Sequence, residues 1–384
     1  MPKNRILTAS QAVFVGPTPA TGYHFFNAST PSLISGVGFT NRINELFRIQ
    51  DVSYSFAFQN EPVSQFGDLA PIDYVTNQPP TVNLSLSYVL SNFINEKNLG
   101  FTLSSGSSQV GCLSGMLTKV SDDKNYFIEI ESEGQDAHQL NPTPTQTNII
   151  GIGNGYISNY SLDASVGSFP NVSVDIEGLN MVIYGAGTYN SIPAINPVNG
   201  TQITNAFFEL PTGFSNLSGM AINSNSQTIS ALRPGDITFS LGYTDLGAST
   251  TDWKVQSVSL SIPMSRESID QLGSRYAFSK ELQTPITATL SVNAVVGDFV
   301  TGDIYNLFYN CGSDRYNGQL IFKSPCDTTT QIAGYLFRGM ELTSQEYSSS
   351  IGSNKTVSMN FNIPIGGPLA TGSNLLLSGI SYFK

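Results

Sequence analysis

Charged side chains are scarce in this chain of 384 residues. Asp, Glu, Lys and Arg make up 12% of it, about half the share of roughly 25% in an average globular domain. Only 17 residues are basic and the net charge is -11, which excludes the clustered Lys and Arg of a nucleic-acid-binding surface. An acidic wall is nevertheless compatible with DNA passage, because it offers phosphate groups nothing to which they would stick.

The residues of nucleophilic and metal chemistry are also few. The two histidines, His24 and His138, lie more than 100 residues apart, so a Ser/His/Asp or Cys/His arrangement finds little support. The three cysteines have unrelated spacings that fit neither a disulfide framework nor a zinc site, and we expect free thiols. These cysteines are Cys112, Cys311 and Cys326. The sequence therefore predicts no catalytic residues, no cofactor and no metal.

Long apolar runs are missing too. The apolar stretch after Lys3 and Arg5 is broken by Thr8 and Ser10, so it does not form the core of a signal peptide. Elsewhere no stretch approaches the length of a membrane span. We expect no membrane association.

Asn, Ser, Thr and Gly replace the missing charge, while apolar residues make up 40% of the chain. These residues favour strands and turns over long helices, whose wet faces usually carry Glu, Lys and Arg. A chain of this length can bury two separate cores. The composition thus predicts a mainly β protein with two domains.

An internal repeat gives the domain organisation. Residues 48–93 align without a gap on residues 254–299 at an offset of 206, with 13 of 46 positions identical, against about three expected for unrelated segments. Both segments alternate apolar and polar residues in two strands of the same parity. The first strand places Val52, Tyr54, Phe56 and Phe58 on the face that Val258, Leu260, Ile262 and Met264 occupy in the repeat. The second strand places Val82, Leu84, Leu86, Tyr88 and Leu90 where the repeat has Ala288, Leu290, Val292, Ala294 and Val296.

The repeat divides the chain into a first domain at 1–184, a connector at 185–233 that is rich in Pro, Asn, Ser and Gly, and a second domain at 234–384. Residues 134–147, with Pro142 and Pro144, have no counterpart in the second copy. We interpret them as an inserted loop or arm.

Other local patterns predict smaller elements. Between the two repeated strands we expect one helical turn or a plain loop that closes at Gly67 and Gly273. The further expectations are a hairpin of 113–120 with 126–132 in the first copy, a weaker equivalent at 311–323, closing strands at 172–176 and 357–363, and a helix at 303–309 capped by Asp303. The run 149–156 favours a glycine-rich turn over a phosphate loop, since no helix pattern follows it.

One charge pattern suggests a functional surface. Glu129, Glu131 and Glu133 alternate with Ile128 and Ile130, so a strand would place the three carboxylates on one face. That face is either a wet outer surface or the lining of a channel whose negative charge repels DNA.

A nearby acidic pair, Asp122 and Asp123, lacks the pattern of a calcium loop. We interpret both as solvated turn residues.

Several strings of the first copy resemble major tail proteins, or tail tube proteins, of long-tailed bacteriophages. These strings lie at 48–56, 63–70, 79–88 and 115–127, and the resemblance spans residues 48–132 with a fainter echo at 254–299. It implies two tandem β-sandwich or β-barrel domains with a short helix each, whose strands join those of neighbours around a lumen. In that family six domains usually close a ring.

The resemblance also implies partners. Two domains per chain would let three chains close a pseudo-sixfold ring, and stacked trimeric rings would form a tail tube. We therefore expect a virion protein, made in the host cytoplasm, that contacts the tape measure, tail terminator and distal tail proteins. Viral DNA would pass through without specific binding.

Two other functions stay open. A capsid decoration or tail-tip protein would also be β-rich, poor in charge and without catalysis. A carbohydrate-binding or adhesive β-sandwich is the second alternative, although Trp253, the single tryptophan, precedes a strand and suits a core or interface position better than a sugar platform.

Overall fold

A computed structural model describes most of the two repeated regions. The described residues are 11–18, 43–104, 109–119, 121–131, 137, 148–185, 191–196, 200–203, 210, 232–241, 254–277, 279–296, 315–324, 327–352, 354–368, 370 and 374–379. The predicted helix at 303–309, the histidines, Trp253, Cys311, Cys326 and Glu133 lie outside them. Cys112 is a buried free thiol.

The described chain is mainly β, which confirms the predicted fold class. The strands of the first copy are β1 (Gln11–Pro17), β2 (Asn44–Leu46), β3 (Ile49–Ala57), β4 (Asn60–Val63), β5 (Asp73–Thr76), β6 (Thr81–Val89), β7 (Leu103–Ser104), β8 (Asp123–Ile130), β9 (Asn148–Ser165), β10 (Asn171–Gly178) and β11 (Asn180–Tyr184). Two helices, α1 (Ile94–Leu99) and α2 (Ser114–Leu117), follow β6.

The rest of the chain adds two short strands in the connector and then the second copy. The connector strands are β12 (Ile195–Asn196) and β13 (Thr201–Gln202), and the later strands are β14 (Ile237–Leu241), β15 (Lys254–Pro263), β16 (Arg266–Ile269), β17 (Ser279–Leu282), β18 (Ile286–Val295), β19 (Tyr316–Ser324), β20 (Asp327–Ser348), β21 (Thr356–Ile365) and β22 (Asn374–Gly379). A 3₁₀ turn at Pro234–Asp236 precedes β14.

The two copies build the same four-stranded module. The first copy orders its strands β3-β6-β10-β9 and the second β15-β18-β21-β20, all antiparallel neighbours. The predicted closing strands at 172–176 and 357–363 are confirmed as parts of β10 and β21. The repeat that the sequence indicates over 46 positions therefore extends through the whole module.

A repeated β-bulge accounts for one of the identities in the sequence. The ladder shifts by one residue between Ile49 and Asp51, and again between Val255 and Ser257. The extra residue is Gln50 in the first copy and Gln256 in the second. Each glutamine donates from Nε2 to the carbonyl two residues earlier, at 3.1 Å and 3.0 Å. The same side chain thus fixes the same local bend twice.

The alternating residues form the core as predicted, with one exception. The apolar positions of β6 and β18 are buried, and so are Val258, Leu260, Ile262 and Met264 of the β15 region. The equivalent Tyr54, Phe56 and Phe58 are instead 39%, 55% and 59% exposed. The two strands have the same alternation of apolar and polar residues, but the apolar side chains are buried in β15 and exposed in β3. The reason is that β15 lies in the middle of the sheet and β3 at its end.

The predicted helical turns between the repeated strands are wrong. Both segments are hairpins, β4 with β5 and β16 with β17. The expected positive φ at their glycines is confirmed, at +103° for Gly67 and +89° for Gly273. Neither hairpin contains a helical turn, although the sequence has two apolar residues three apart before each glycine, Val63 with Phe66 and Ile269 with Leu272.

Two further expectations are wrong. Residues 113–120 do not form a hairpin with β8, since Ser114–Leu117 is helical and β8 pairs with β1 and β9. The glycine-rich run at 149–156 is not a turn but part of β9. Its glycines allow close packing: a Cβ on Gly153 would lie 2.3 Å from the carbonyl oxygen of Pro193.

The two copies share one sheet and one large core. β9 of the first copy pairs with β15 of the second, and one cluster of buried side chains includes residues of both. β7 also pairs in parallel with β22. The domain limits at 184 and 234 stay a prediction, since pairing across the copies does not divide the chain.

A buried ion pair connects the second copy to the first. Arg266, at the base of the second hairpin, donates from Nη2 to Oδ1 of Asp122 at 2.6 Å and from Nη1 to Oδ2 at 3.0 Å. Their side chains are 2% and 10% exposed. The interpretation of Asp122 as a solvated turn residue is therefore wrong.

The Asp122→Ala variant should lose about 3–5 kcal/mol of unfolding free energy, because it leaves the Arg266 charge buried without its partner. Chemical denaturation measures this loss. Lys280→Met is a matched control, because its partner Glu177 has a 42% exposed side chain and such a pair contributes about 0–1 kcal/mol. Equal losses in both variants would contradict the assignment.

Candidate assembly surface

Other segments of the chain bury both faces of the predicted acidic strand. Glu129 and Glu131 are 6% and 8% exposed, so the expectation of a wet face is wrong for these two. Glu129 pairs with Ala12 of β1 and with Ile149 of β9. Its neighbours belong to a second, smaller core cluster on the face opposite the main core. Whether Glu133 or this strand lines a lumen stays untested in a single chain.

Burial makes the carboxyl groups of Glu129 and of the nearby Glu45 hard to ionise. Desolvation raises the pKa of Glu129 to about 8, with further contributions from the charges of Glu131 and Glu45. Desolvation alone raises the pKa of Glu45 to about 7. A neutral buried carboxyl group cannot supply the negative potential that a repelling channel wall needs.

A different surface has the properties of a lining. In the eight strands of the two modules, the residues that alternate with the core form a continuous polar face, none of it buried. We call these residues the polar face: Ser53, Ser55, Asn83, Ser85, Ser87, Asn159, Ser161, Asp163, Ser173, Asp175, Glu177, Ser257, Ser259, Ser261, Thr287, Thr289, Ser291, Asn293, Glu341, Ser344, Glu346, Ser348, Ser358, Asn360 and Asn362, with Asp51 and Lys254 at one end.

Short neutral side chains dominate the polar face, and its charges are mostly acidic. Its carboxylates are Asp51, Asp163, Asp175, Glu177, Glu341 and Glu346, and Lys254 is the base at its end. Arg338 is the other base of these eight strands, but it lies in the first half of β20, where the strand pairs with β22. Among the described residues, the polar face therefore has almost nothing that would hold a phosphate backbone.

The junction between the copies has a defined register. Asn159–Ser165 of β9 pair antiparallel with Ser257–Pro263 of β15, so that Leu162 faces Leu260 and Ser161 faces Ser261. On its other edge β9 pairs with β10. We call this β9–β15 pairing the internal junction. It continues both the apolar core face and the polar face from one copy into the next.

A buried hydrogen-bond network lies behind the internal junction. The Tyr160 hydroxyl of β9 is 2.6 Å from the Tyr335 hydroxyl of β20. Tyr88 and Tyr160 both donate to Oε1 of Glu96, at 2.8 Å and 3.1 Å. Glu96 is on α1, which ends at Gly100 in the left-handed conformation. The network thus connects the first module, α1 and the second module.

The eight strands of the two modules follow the order β3-β6-β10-β9-β15-β18-β21-β20, which we call the eight-strand path. Each end of this path carries a sheet edge. β3 ends the path and pairs with β6 along its length. β20 pairs with β19 as far as Met340, and its Glu341–Ser348 segment pairs with β21 among the described strands. β20 is the counterpart of β9, so this segment corresponds to the part of β9 that joins β15.

Exposed apolar side chains mark both rims of the sheet. Phe66 and Leu272, at equivalent hairpin tips, are 109% and 105% exposed. At the opposite ends of the strands, Val166 and Ile351 occupy equivalent turns and are 63% and 108% exposed. Each of the four precedes a glycine with positive φ. Single exposed apolar side chains thus recur at equivalent positions of the two copies on both rims.

Several chains in solved structures are similar to this chain. A chain in the virion of a native gene transfer agent particle is similar over 38% of this chain and 97% of that chain, with 15% sequence identity and a TM-score of 0.22. No protein-family model and no curated protein matches this chain.

Neither a metal centre nor a membrane helix is found among the residues that the structure describes. No group of three or more His, Cys, Asp or Glu side chains could hold a metal ion there. No described helix is long and apolar enough to cross a membrane.

The buried network should make stability depend on pH through Glu96. Desolvation raises the pKa of Glu96 to about 7, so its contribution to stability is complete below about pH 4.5 and is lost as the pH rises through about 7. Relative to Glu96→Gln, the wild-type protein should lose about 3 kcal/mol of unfolding free energy between pH 4 and pH 9.

Denaturation curves across that pH range measure the difference, and Tyr88→Phe supplies the control. It keeps the carboxyl group but removes a hydrogen bond that lowers its pKa, so the pH dependence should persist and move to higher pH. A difference between wild type and Glu96→Gln that does not change with pH would contradict the assignment.

Proposed function

We propose that this chain is a structural protein of a phage-like virion, and that it assembles into stacked rings that form a tail tube. The observation that carries the proposal is the repeated module with its internal junction. One chain contains two modules joined edge to edge, and it still has an edge of each kind at its ends. We assign it no catalytic role.

Repetition of that junction between chains would continue the sheet. A head-to-tail contact generates a ring if its rotation closes, and an open filament if it does not. Each chain contributes eight strands, so three chains would close a barrel of 24 strands with pseudo-sixfold symmetry.

The two faces of the sheet suit an inner and an outer side. The apolar face packs against β1, β8 and the other strands of the large core, so it cannot line a channel. The polar face has no such cover from the described residues and would face the lumen. Short hydroxyl and amide side chains with scattered carboxylates would let duplex DNA slide, because they do not displace counterions from its phosphates.

The exposed apolar side chains on the two rims of the sheet would form the contacts between stacked rings. Phe66 and Leu272 would extend from one rim of a ring, and Val166 and Ile351 from the other. Contacts between the rims of consecutive rings would bury these side chains, each contributing roughly 1.5–3 kcal/mol when fully covered. A ring of three chains would present six such tips on each rim.

Electron microscopy of the purified chain tests the proposal. We expect rings or tubes with three chains per layer, because one chain supplies two of six modules, and mass measurement of the particles gives this number. A monomer at every concentration would overturn the proposal. A compact trimer that never stacks would instead favour a capsid decoration or tail-tip protein.

Substitution of the hairpin tips should separate stacking from ring formation. In Phe66→Ser combined with Leu272→Ser we expect rings to persist and tubes to be lost, since both side chains are fully exposed within one chain. Sedimentation and microscopy distinguish the two particles. The neighbouring polar pair, Gln65→Ser with Gln271→Ser, is the matched control and should still form tubes. Loss of rings in the first variant would contradict the assignment of the tips to stacking.

A further inference from the structure

We infer that the Glu341–Ser348 segment of β20 pairs antiparallel with β3 of a second copy of this chain, in the register of the internal junction. This inference rests on the proposed ring and deepens it, because it assigns the residues that meet between chains. It follows from the correspondence of the two copies, strand by strand.

Strand β9 of the first copy corresponds to strand β20 of the second copy. Asp163 pairs with Asn171 in the first copy, and Ser348 pairs with Thr356 in the second. Both ladders skip one residue at the equivalent position, which is Ser158 in β9 and Thr343 in β20. A constant offset of 185 residues therefore relates β9 to β20 on both sides of the bulge.

Strand β3 corresponds to strand β15, and equivalent residues differ by 206 in number. It is confirmed in the ladders, because Ser53 pairs with Ser85 and the equivalent Ser259 pairs with Ser291. Both strands also carry the glutamine bulge at the same position.

Together the two correspondences fix which residues meet. Ser161 faces Ser261 and Leu162 faces Leu260 within the chain. Between chains, Glu346 would face Ser55, and Tyr347 would face Tyr54. Ser348 would face Ser53 on the same basis.

The side chains on β3 fit this role. Tyr54, Phe56 and Phe58 are exposed at an edge strand, and the rings of Phe56 and Phe58 contact each other with centroids 5.6 Å apart. An edge strand with exposed aromatic residues would be an aggregation hazard in a chain that stays alone. Their counterparts Leu260, Ile262 and Met264 are buried where the internal junction covers them.

The facing pair across the proposed seam is aromatic. Tyr54 and Tyr347 are each 39% exposed, and a cross-strand aromatic pair contributes roughly 0.2–1 kcal/mol beyond its burial. The polar face continues through the same seam, because Glu346 and Ser55 lie on it. The partner that fits this surface is therefore a second copy of the chain, not an unrelated peptide.

Disulfide trapping tests the register. Facing residues of antiparallel strands have Cβ atoms about 4.5–5.5 Å apart, close to the spacing that a disulfide needs. After oxidation, S55C/E346C and S53C/S348C should each give covalent dimers and trimers in denaturing electrophoresis. S53C/S344C is the displaced control, because four residues shift the two thiols apart by about 13 Å.

The internal junction supplies a matched positive control. S161C/S261C places thiols at the equivalent positions within one chain, so it should form a disulfide without any increase in chain mass. The wild-type chain controls for its own cysteines.

A second variant tests the same seam without cysteine. Phe56→Asp should prevent assembly and leave the melting temperature of the single chain unchanged, because this side chain is 55% exposed. Ile262→Asp, at the equivalent buried position, should destabilise the chain itself.

The outcomes separate this inference from the proposed function. Rings in the microscope with the expected pattern of trapping would support both. Rings without trapping, or with equal trapping of the displaced pair, would overturn the register and leave the ring-forming function intact. The absence of any particles from the wild-type chain would overturn the ring, and the seam with it.

Discussion

The pairing of β9 with β15 is the interaction on which the rest of the structure depends. It turns two four-stranded modules into one sheet. It also places β15 in the middle of the sheet, where its apolar side chains are buried, and brings Tyr160 within hydrogen-bonding distance of Tyr335. The buried Arg266–Asp122 pair then holds the second hairpin against the first copy. Without this junction each module would end in an edge strand with exposed apolar side chains.

The contrast between β3 and β15 separates what a sequence determines locally from what assembly determines. Both strands have the same parity, the same glutamine bulge and the same following hairpin. Only their neighbours differ. The exposure of Tyr54, Phe56 and Phe58 is therefore a property of the isolated chain, and the aromatic character of these positions is consistent with a surface that becomes covered.

Much of the fold could be predicted from the sequence, because alternation with a period of two is a local signal. It identifies β3, β6, β15 and β18 and their common register. The hairpins were missed, since apolar residues three apart mimic a helical turn. Glu96 and Asp122 gave no local signal, because their partners Tyr160 and Arg266 are far away in sequence. The burial of Glu129 and Glu131 could not be predicted for a similar reason: alternation indicates one face, but the segments that cover that face lie elsewhere in the sequence.

Fusion of the two modules would make the seams of the proposed ring unequal. The internal junction forms within one chain as it folds, at an effective concentration set by covalent connection. A seam between chains forms only by encounter, so substitutions in β3 or in the second half of β20 can weaken or strengthen it without altering the internal junction. A partial ring of any size would also end in one β3 edge and one β20 edge. Growth could thus proceed from either end, and closure would occur when those two different ends meet.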